Sequence, residues 1–190
     1  DNGMLGEIDR HVAERAIAAI GQRLRAGHPT TLLVKVSQAS LDGDAFADFV
    51  GEQLADHQVP GEYLVLQLPE AKVFTHLKAT QAFAARIARF DGRFALEQFG
   101  VGLDSFQLLS HLQPHLLKLD RSFTDDLPNN SENQARIGEI ARRARQVGIR
   151  TIAEFVQDAA SMSILFGADI DYVQGNFLAA ASPGMQYDFE

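Results

Sequence analysis

Six short apolar runs, each followed by a polar or helix-period stretch, do most to limit the folds open to this chain. They are Thr31–Val36, Tyr63–Leu68, Phe94–Phe99, Leu116–Leu119, Arg150–Ala153 and Asp171–Gln174. Between them lie segments of helical period. Val12, Ala16, Ile20 and Leu24 recur every four residues with Ile17 beside them, and Gly27, His28 and Pro29 end that stripe. Helices are predicted over Asp42–His57, Glu70–Phe90, Glu132–Val147 and Ala159–Phe166, with Gly148 as a C-cap, and Gly100 and Gly102 mark a tight connection into Ser105–Leu112. Near-continuous apolar strands alternating with helices argue for a parallel sheet, because crossover helices cover both of its faces. A (β/α) barrel and a doubly wound sheet both satisfy this pattern.

Composition narrows the function. The chain of 190 residues is the size of one domain, and Pro128–Ser131 is too short to divide it. It has no cysteine, which excludes disulfides, zinc–thiolate sites and thiol catalysis. A net charge of −8 argues against binding a nucleic-acid polymer, which needs a basic footprint. A small anion needs only local donors. No apolar run reaches the ~18 residues of a membrane span, and residues 1–9 carry no secretory signal.

In barrels of this kind, chemistry gathers at the C-terminal ends of the strands. The polar residues there are Lys35 and Ser37, Gln67 and Glu70, Glu97 and Gln98, Lys118 and Asp120, Glu154, and Gln174. Lys118 and Asp120, two apart on one strand, share a face of the sheet. The six histidines form no metal-ligand spacing.

Leu117-Lys118-Leu119-Asp120-Arg121-Ser122-Phe123 resembles the K-[IL]-D-R-S-F segment of EAL domains, the cyclic di-GMP phosphodiesterase family. Further blocks resemble it in the family's order. Val34-Lys35-Val36-Ser37 is similar to v-N-l-S, and Leu66-Gln67-Leu68-Pro69-Glu70 to l-E-i-T-E. Phe99-Gly100-x-Gly102 is similar to D-D-F-G-x-G, and Ala153-Glu154-x-Val156 to A-E-G-V-E. Gln174-Gly175-x-Phe177, followed by Pro183, is similar to the Q-G-[YF] block. The resemblance spans essentially the whole chain. It implies a TIM-like (β/α) barrel of the EAL type. The Glu-Ala-Leu signature strand would precede residue 1, so residues 1–190 would be a single truncated EAL-like domain of a longer, cytoplasmic bacterial protein.

The resemblance also implies a lost metal centre. EAL phosphodiesterases hydrolyse cyclic di-GMP with two Mg²⁺ or Mn²⁺ ions held by carboxylates and an Asn. Here Lys35 stands at the Asn position, Gln67 at the first Glu of E-x-x-E, Glu97-Gln98 at the Asp-Asp pair, and Gln157 at the last Glu of A-E-G-V-E. Hard cations take oxygen ligands, charged by preference, and a protonated amine cannot coordinate one.

The expectation is therefore a non-catalytic cyclic di-GMP receptor, similar to the FimX-like members of the family. It would require no cofactor and would bind through Asp9, Lys35, Ser37, Gln67, Lys118, Asp120, Glu154, Phe155, Gln174 and Pro183. Glu70 is expected to anchor the loop after Gly100. Lys35 offers its charge to a phosphate, or pairs with Glu97, or simply meets solvent. Phe155 either stacks on a base or packs in the core. Such receptors regulate type IV pili and twitching motility, some through a PilZ-domain adaptor. The alternatives are a residual phosphodiesterase and a domain working through protein contacts alone.

Overall fold

Short β-branched and leucine-rich runs favour extended backbone, and each of the six runs forms a strand. The computed structural model describes residues 2–41 and 43–181, and the chain divides into two units, residues 1–117 and 118–190.

In the first unit, α1 (Asn2–Arg25) leads to β1 (Leu32–Lys35), α2 (Ala45–Asp56) and β2 (Leu64–Pro69). Then come α3 (Glu70–Thr75), α4 (Leu77–Ile87) and β3 (Arg93–Phe99). A 3-10 turn covers Ser105–Ser110, and β4 (Leu116–Leu119) then carries the chain into the second unit. β1, β2 and β3 pair in parallel, with Lys35 opposite Gln67, Gln67 opposite Ala95, and Pro69 opposite Glu97. Partners in a parallel ladder, and residues two apart on a strand, point to the same face. Lys35, Gln67 and Glu97 therefore share one face of the sheet. Val34, Leu66, Phe94 and Leu96 lie on the other and are buried.

The core-facing stripe of α1 differs from the predicted one. A strict repeat of four drifts around a helix of 3.6 residues per turn. The buried face is Asp9, Ala13, Ile17 and Ile20, whereas Val12 is exposed. The helix ends as Gly27 predicts. Gly27 has φ 81°, its N–H donates to the Leu24 carbonyl, and the His28 N–H donates to that of Arg23. That is the left-handed glycine cap of a helix.

The helix predicted over Glu70–Phe90 is broken at His76 (φ −127°, ψ 38°) into α3 and α4. No Pro or Gly marks the break. His76 instead meets the Gln38 amide at 2.7 Å through Nε2, and Thr75 Oγ1 at 2.8 Å through Nδ1. The Thr75 contact is local, whereas the Gln38 contact, 38 residues away, belongs to tertiary structure.

The second unit contains α5 (Ser131–Gln146), β5 (Arg150–Ala153), α6 (Ala159–Gly167) and β6 (Tyr172–Val173), with β5 and β6 parallel. The Asn130 side chain caps α5 at the Asn133 N–H, and Asp158 caps α6 at the Ser161 N–H. Gly148 (φ 73°) closes α5 as predicted.

The chain after β6 is laced onto the end of β5. Val156 N–H donates to the Gln174 carbonyl, Gln174 N–H to that of Ala153, and Phe177 N–H to that of Val156. A Cβ on Gly175 would lie 2.1 Å from the Val156 carbonyl oxygen and 2.4 Å from its nitrogen. Both obstacles are backbone and cannot swing away. Gly175→Ala is therefore expected to lower stability by about 2–3 kcal/mol, read as a fall in the urea midpoint at unchanged m-value. An unchanged midpoint would show that this lacing is not needed for the fold.

Candidate functional site

Four side chains predicted as ligand contacts lie in the first unit. Asp9 projects from the core face of α1 and is buried. Its Oδ2 accepts three hydrogen bonds, from the Ser37 N–H at 2.8 Å, Ser37 Oγ at 2.6 Å and Ser40 Oγ at 2.7 Å. The carboxylate thus ties the turn after β1 to α1. Ser37 is its main partner, and Ser40 went unmarked in the sequence. Asp9 lies 28 residues before Ser37, so this partnership is legible only once the elements are packed.

The other two are Lys35 and Gln67, which share their face with Glu97. Lys35 Nζ stands 3.0 Å from Glu97 Oε2. The Lys35 side chain is 67% exposed and that of Glu97 only 7%, so solvent reaches the pair from the lysine side. Two of the three readings of Lys35 hold together, since it pairs with Glu97 and is also open to solvent. Gln67 is buried, and its Oε1 has no hydrogen-bond partner among the described residues. Gln98, exposed beside Glu97, has φ 54°, a left-handed conformation that side chains rarely adopt.

Glu70 does what the sequence assigned to it. Buried at the start of α3, it accepts the Gly100 N–H at 2.8 Å through Oε2. Its Oε1 packs so close to Gly102 that a Cβ there would come within 2.4 Å. The loop after β3 is therefore held down by one carboxylate.

In the second unit, Lys118 Nζ and Glu154 Oε2 are 2.7 Å apart, with side chains 6% and 16% exposed. Thr124 Oγ1 donates to the Glu154 carbonyl at 2.7 Å. Asp120 caps the turn Arg121–Phe123 by accepting the Ser122 N–H at 2.9 Å. Phe155 follows Glu154 at φ 61° and is 45% exposed, so it lies outside the core. The Arg121 guanidinium lies over its ring, 4.6 Å from the centroid. A bulky residue held at positive φ stores roughly 1–3 kcal/mol of strain, which collects at functional sites. Gln174 is exposed and fixed by its backbone. Pro183 lies outside the described residues. Sequence reasoning missed Arg121 and Thr124 as parts of this cluster, although both fall in or beside the K-L-D-R-S-F segment.

Helices alternating with parallel strands whose polar ends are buried and charged define an α/β protein of the (β/α)-barrel class. The EAL domain model matches residues 1–181, and the chain belongs to that family. The EAL domain of Xanthomonas citri FimX, solved in complex with c-diGMP, is 51% identical with a TM-score of 0.95. That match covers 99% of this chain and 74% of the solved one. The FimX EAL domain of Pseudomonas aeruginosa, solved bound to c-di-GMP, is 33% identical with a TM-score of 0.90, over 99% and 75% of the two chains. The fold is thus the TIM-like (β/α) fold of EAL domains. Among curated proteins, the cyclic di-GMP phosphodiesterase PdeF of Escherichia coli is 25% identical over 95% of this chain and 24% of its own length. The signaling protein YkoW of Bacillus subtilis is 22% identical over 99% and 24%. The chain spans about a quarter of the length of these relatives.

The metals that the family's phosphodiesterases use do not fit the residues present. No group of three or more His, Asp or Glu among the described residues is placed to hold one. At the positions that match the family's ligands, Lys35 offers an ammonium, Gln67 and Gln98 offer neutral amides, and Glu97 alone keeps a carboxylate, which is already paired with Lys35.

The Lys118–Glu154 pair makes a stability prediction. Removing one partner strands a largely buried charge, which costs about 3–5 kcal/mol, whereas removing both is close to neutral. Lys118→Met should lower unfolding free energy by about 3 kcal/mol, and Lys118→Met/Glu154→Leu should restore most of it. Additive losses in the double variant, measured by urea denaturation, would show that the pair is not coupled.

Proposed function

We propose that this chain is a cyclic di-GMP receptor domain that binds its ligand without hydrolysing it. The observation that carries the reading is the Lys35–Glu97 ion pair, which uses a carboxylate for an internal cation at a strand end where a hydrolase needs free oxygen ligands. The two FimX EAL domains solved with the dinucleotide support the choice of ligand.

The residues proposed to meet the ligand are Asp9, Lys35, Ser37, Gln67, Lys118, Asp120, Glu154, Phe155, Gln174 and Pro183. Their chemistry suits it. A carboxylate accepts up to about four hydrogen bonds, so Glu154 retains acceptor capacity beside its bond to Lys118. That capacity matches the N1–H and N2–H₂ of a guanine. The exposed Phe155 ring, backed by Arg121, offers a base a stacking face worth about 1–3 kcal/mol. Asp9 and Ser37 answer each other and shape the turn that follows Lys35.

In this reading the chain is one domain of a longer bacterial signalling protein, acting in the cytoplasm without a cofactor and passing the ligand-bound state to a protein partner. A PilZ-domain adaptor in control of type IV pili and twitching motility is the partner the family resemblance suggests. Among the described residues no helix is long and apolar enough to cross a membrane.

A second reading, residual phosphodiesterase activity, is favoured by Lys118 and Glu154, which sit in the family's K-L-D and A-E blocks and remain paired. One experiment separates the readings. Titration calorimetry with cyclic di-GMP in EDTA should give tight binding, and the recovered nucleotide should be intact. Phe155→Ala should weaken binding by roughly 5- to 100-fold, and Glu154→Gln should weaken it while the protein remains folded by circular dichroism. Turnover to linear pGpG on adding Mn²⁺ would establish the phosphodiesterase instead. No heat with or without metal would leave a domain that works through protein contacts alone.

A further inference from the structure

Lys35 ends β1, Glu97 lies near the end of β3, and β2 runs between them. Strands in a sheet stand about 4.8 Å apart, so the two backbones are separated by roughly 10 Å. The Lys35 stem therefore crosses over Gln67, its ladder partner, to bring Nζ within 3.0 Å of Glu97 Oε2. Beneath it the Gln67 amide is buried with Oε1 unanswered among the described residues. A buried polar oxygen without a partner is costly and marks a place built to meet a donor.

We infer that the chain supplies its own cation at this place. The Lys35 ammonium, tethered by Glu97 and laid over Gln67, holds the position a divalent ion would need and keeps such ions out. A lysine ammonium has three donors and no acceptor. With one donor spent on Glu97, the others face the side open to solvent, where an anionic phosphodiester oxygen of the ligand meets them. An amine on a flexible stem accepts such an oxygen with no metal present. Gln67 Oε1 then receives a ligand hydroxyl or N–H, or a water carried in with it.

The metal-excluding part of this inference stands apart from the receptor reading, whereas the phosphate contact rests on it. The test has two arms. In the first, Mn²⁺ alone is titrated into the nucleotide-free protein and bound metal is read by electron paramagnetic resonance. The unsubstituted chain should show no binding tighter than millimolar. Lys35→Asn/Gln67→Glu exchanges the ammonium for an amide oxygen and adds a second carboxylate beside Glu97. It should gain at least tenfold in Mn²⁺ affinity. Lys35→Asn alone should show part of the gain if the double variant fails to fold. Tight Mn²⁺ binding by the unsubstituted chain, or no gain in any folded variant, would overturn the inference.

In the second arm, cyclic di-GMP is titrated into Lys35→Met in EDTA. Affinity should fall about tenfold, and unchanged affinity would overturn the phosphate contact. If the unsubstituted chain binds no nucleotide at all, the receptor reading and the phosphate contact fall together. The Mn²⁺ arm still decides who holds the cation position.

Discussion

A charge withdrawn from water has to be answered inside the protein, and the arrangement of the strand ends follows from how this chain answers four carboxylates. Asp9 is answered by three neutral donors on one turn. Glu70 is answered by a backbone N–H. Glu97 and Glu154 are answered by lysines. The four solutions do different work. Neutral donors and backbone amides fix loops, because their geometry is short and directional. A lysine leaves donors over, so in the proposed reading the two ion pairs are where charge remains available for a ligand.

Strain marks the same places. Gln98 and Phe155 both stand at or just beyond strand ends in the left-handed region, at φ 54° and 61°. Glycine reaches this region without cost, whereas other side chains do so only where their surroundings fix the backbone. For Phe155 the fixing is visible. The peptide after it is bonded to the Gln174 segment, the carbonyl before it receives Thr124, and Gly175 lets the two chains approach to backbone contact. The result is an aromatic ring turned outward beside a carboxylate held in one orientation, the two features that the proposed recognition of a purine base uses.

An acidic chain as receptor for a dianionic ligand is no contradiction. The formal charge of −8 describes the far field, which is screened beyond about 8–10 Å at physiological salt. Affinity for phosphate is set by donors within hydrogen-bond reach, and Lys35 and Lys118 both stand at strand ends. In the reading proposed here, the exchange of carboxylates for amides, and of an amide for an amine, removes the means of hydrolysis and also the repulsion that free carboxylates would exert on phosphate.

Much of this was legible in the sequence because it is local. A run such as Leu64–Leu68 is too apolar to be anything but a buried element, and Gly27 and Gly148 close helices because their φ must be positive. The ordered blocks from Val34 to Phe177 fixed the family, and the Lys35, Gln67, Glu97 and Gln98 substitutions were visible as letters. Tertiary structure decided what no local rule could. The period of four in α1 misplaced its buried face, because Val12 and Ala13 differ in exposure only through what α1 packs against. His76 breaks a helix through a partner 38 residues away. That Lys35 meets Glu97 as well as solvent turned on three strands lying in register, and the Lys118–Glu154 pair joins residues 36 apart in the chain. Sequence determines which groups the chain owns and where its strands end. Distance between those ends is set only when the sheet forms, because electrostatic and hydrogen-bond energies depend on separations of a few ångströms that the order of residues does not contain.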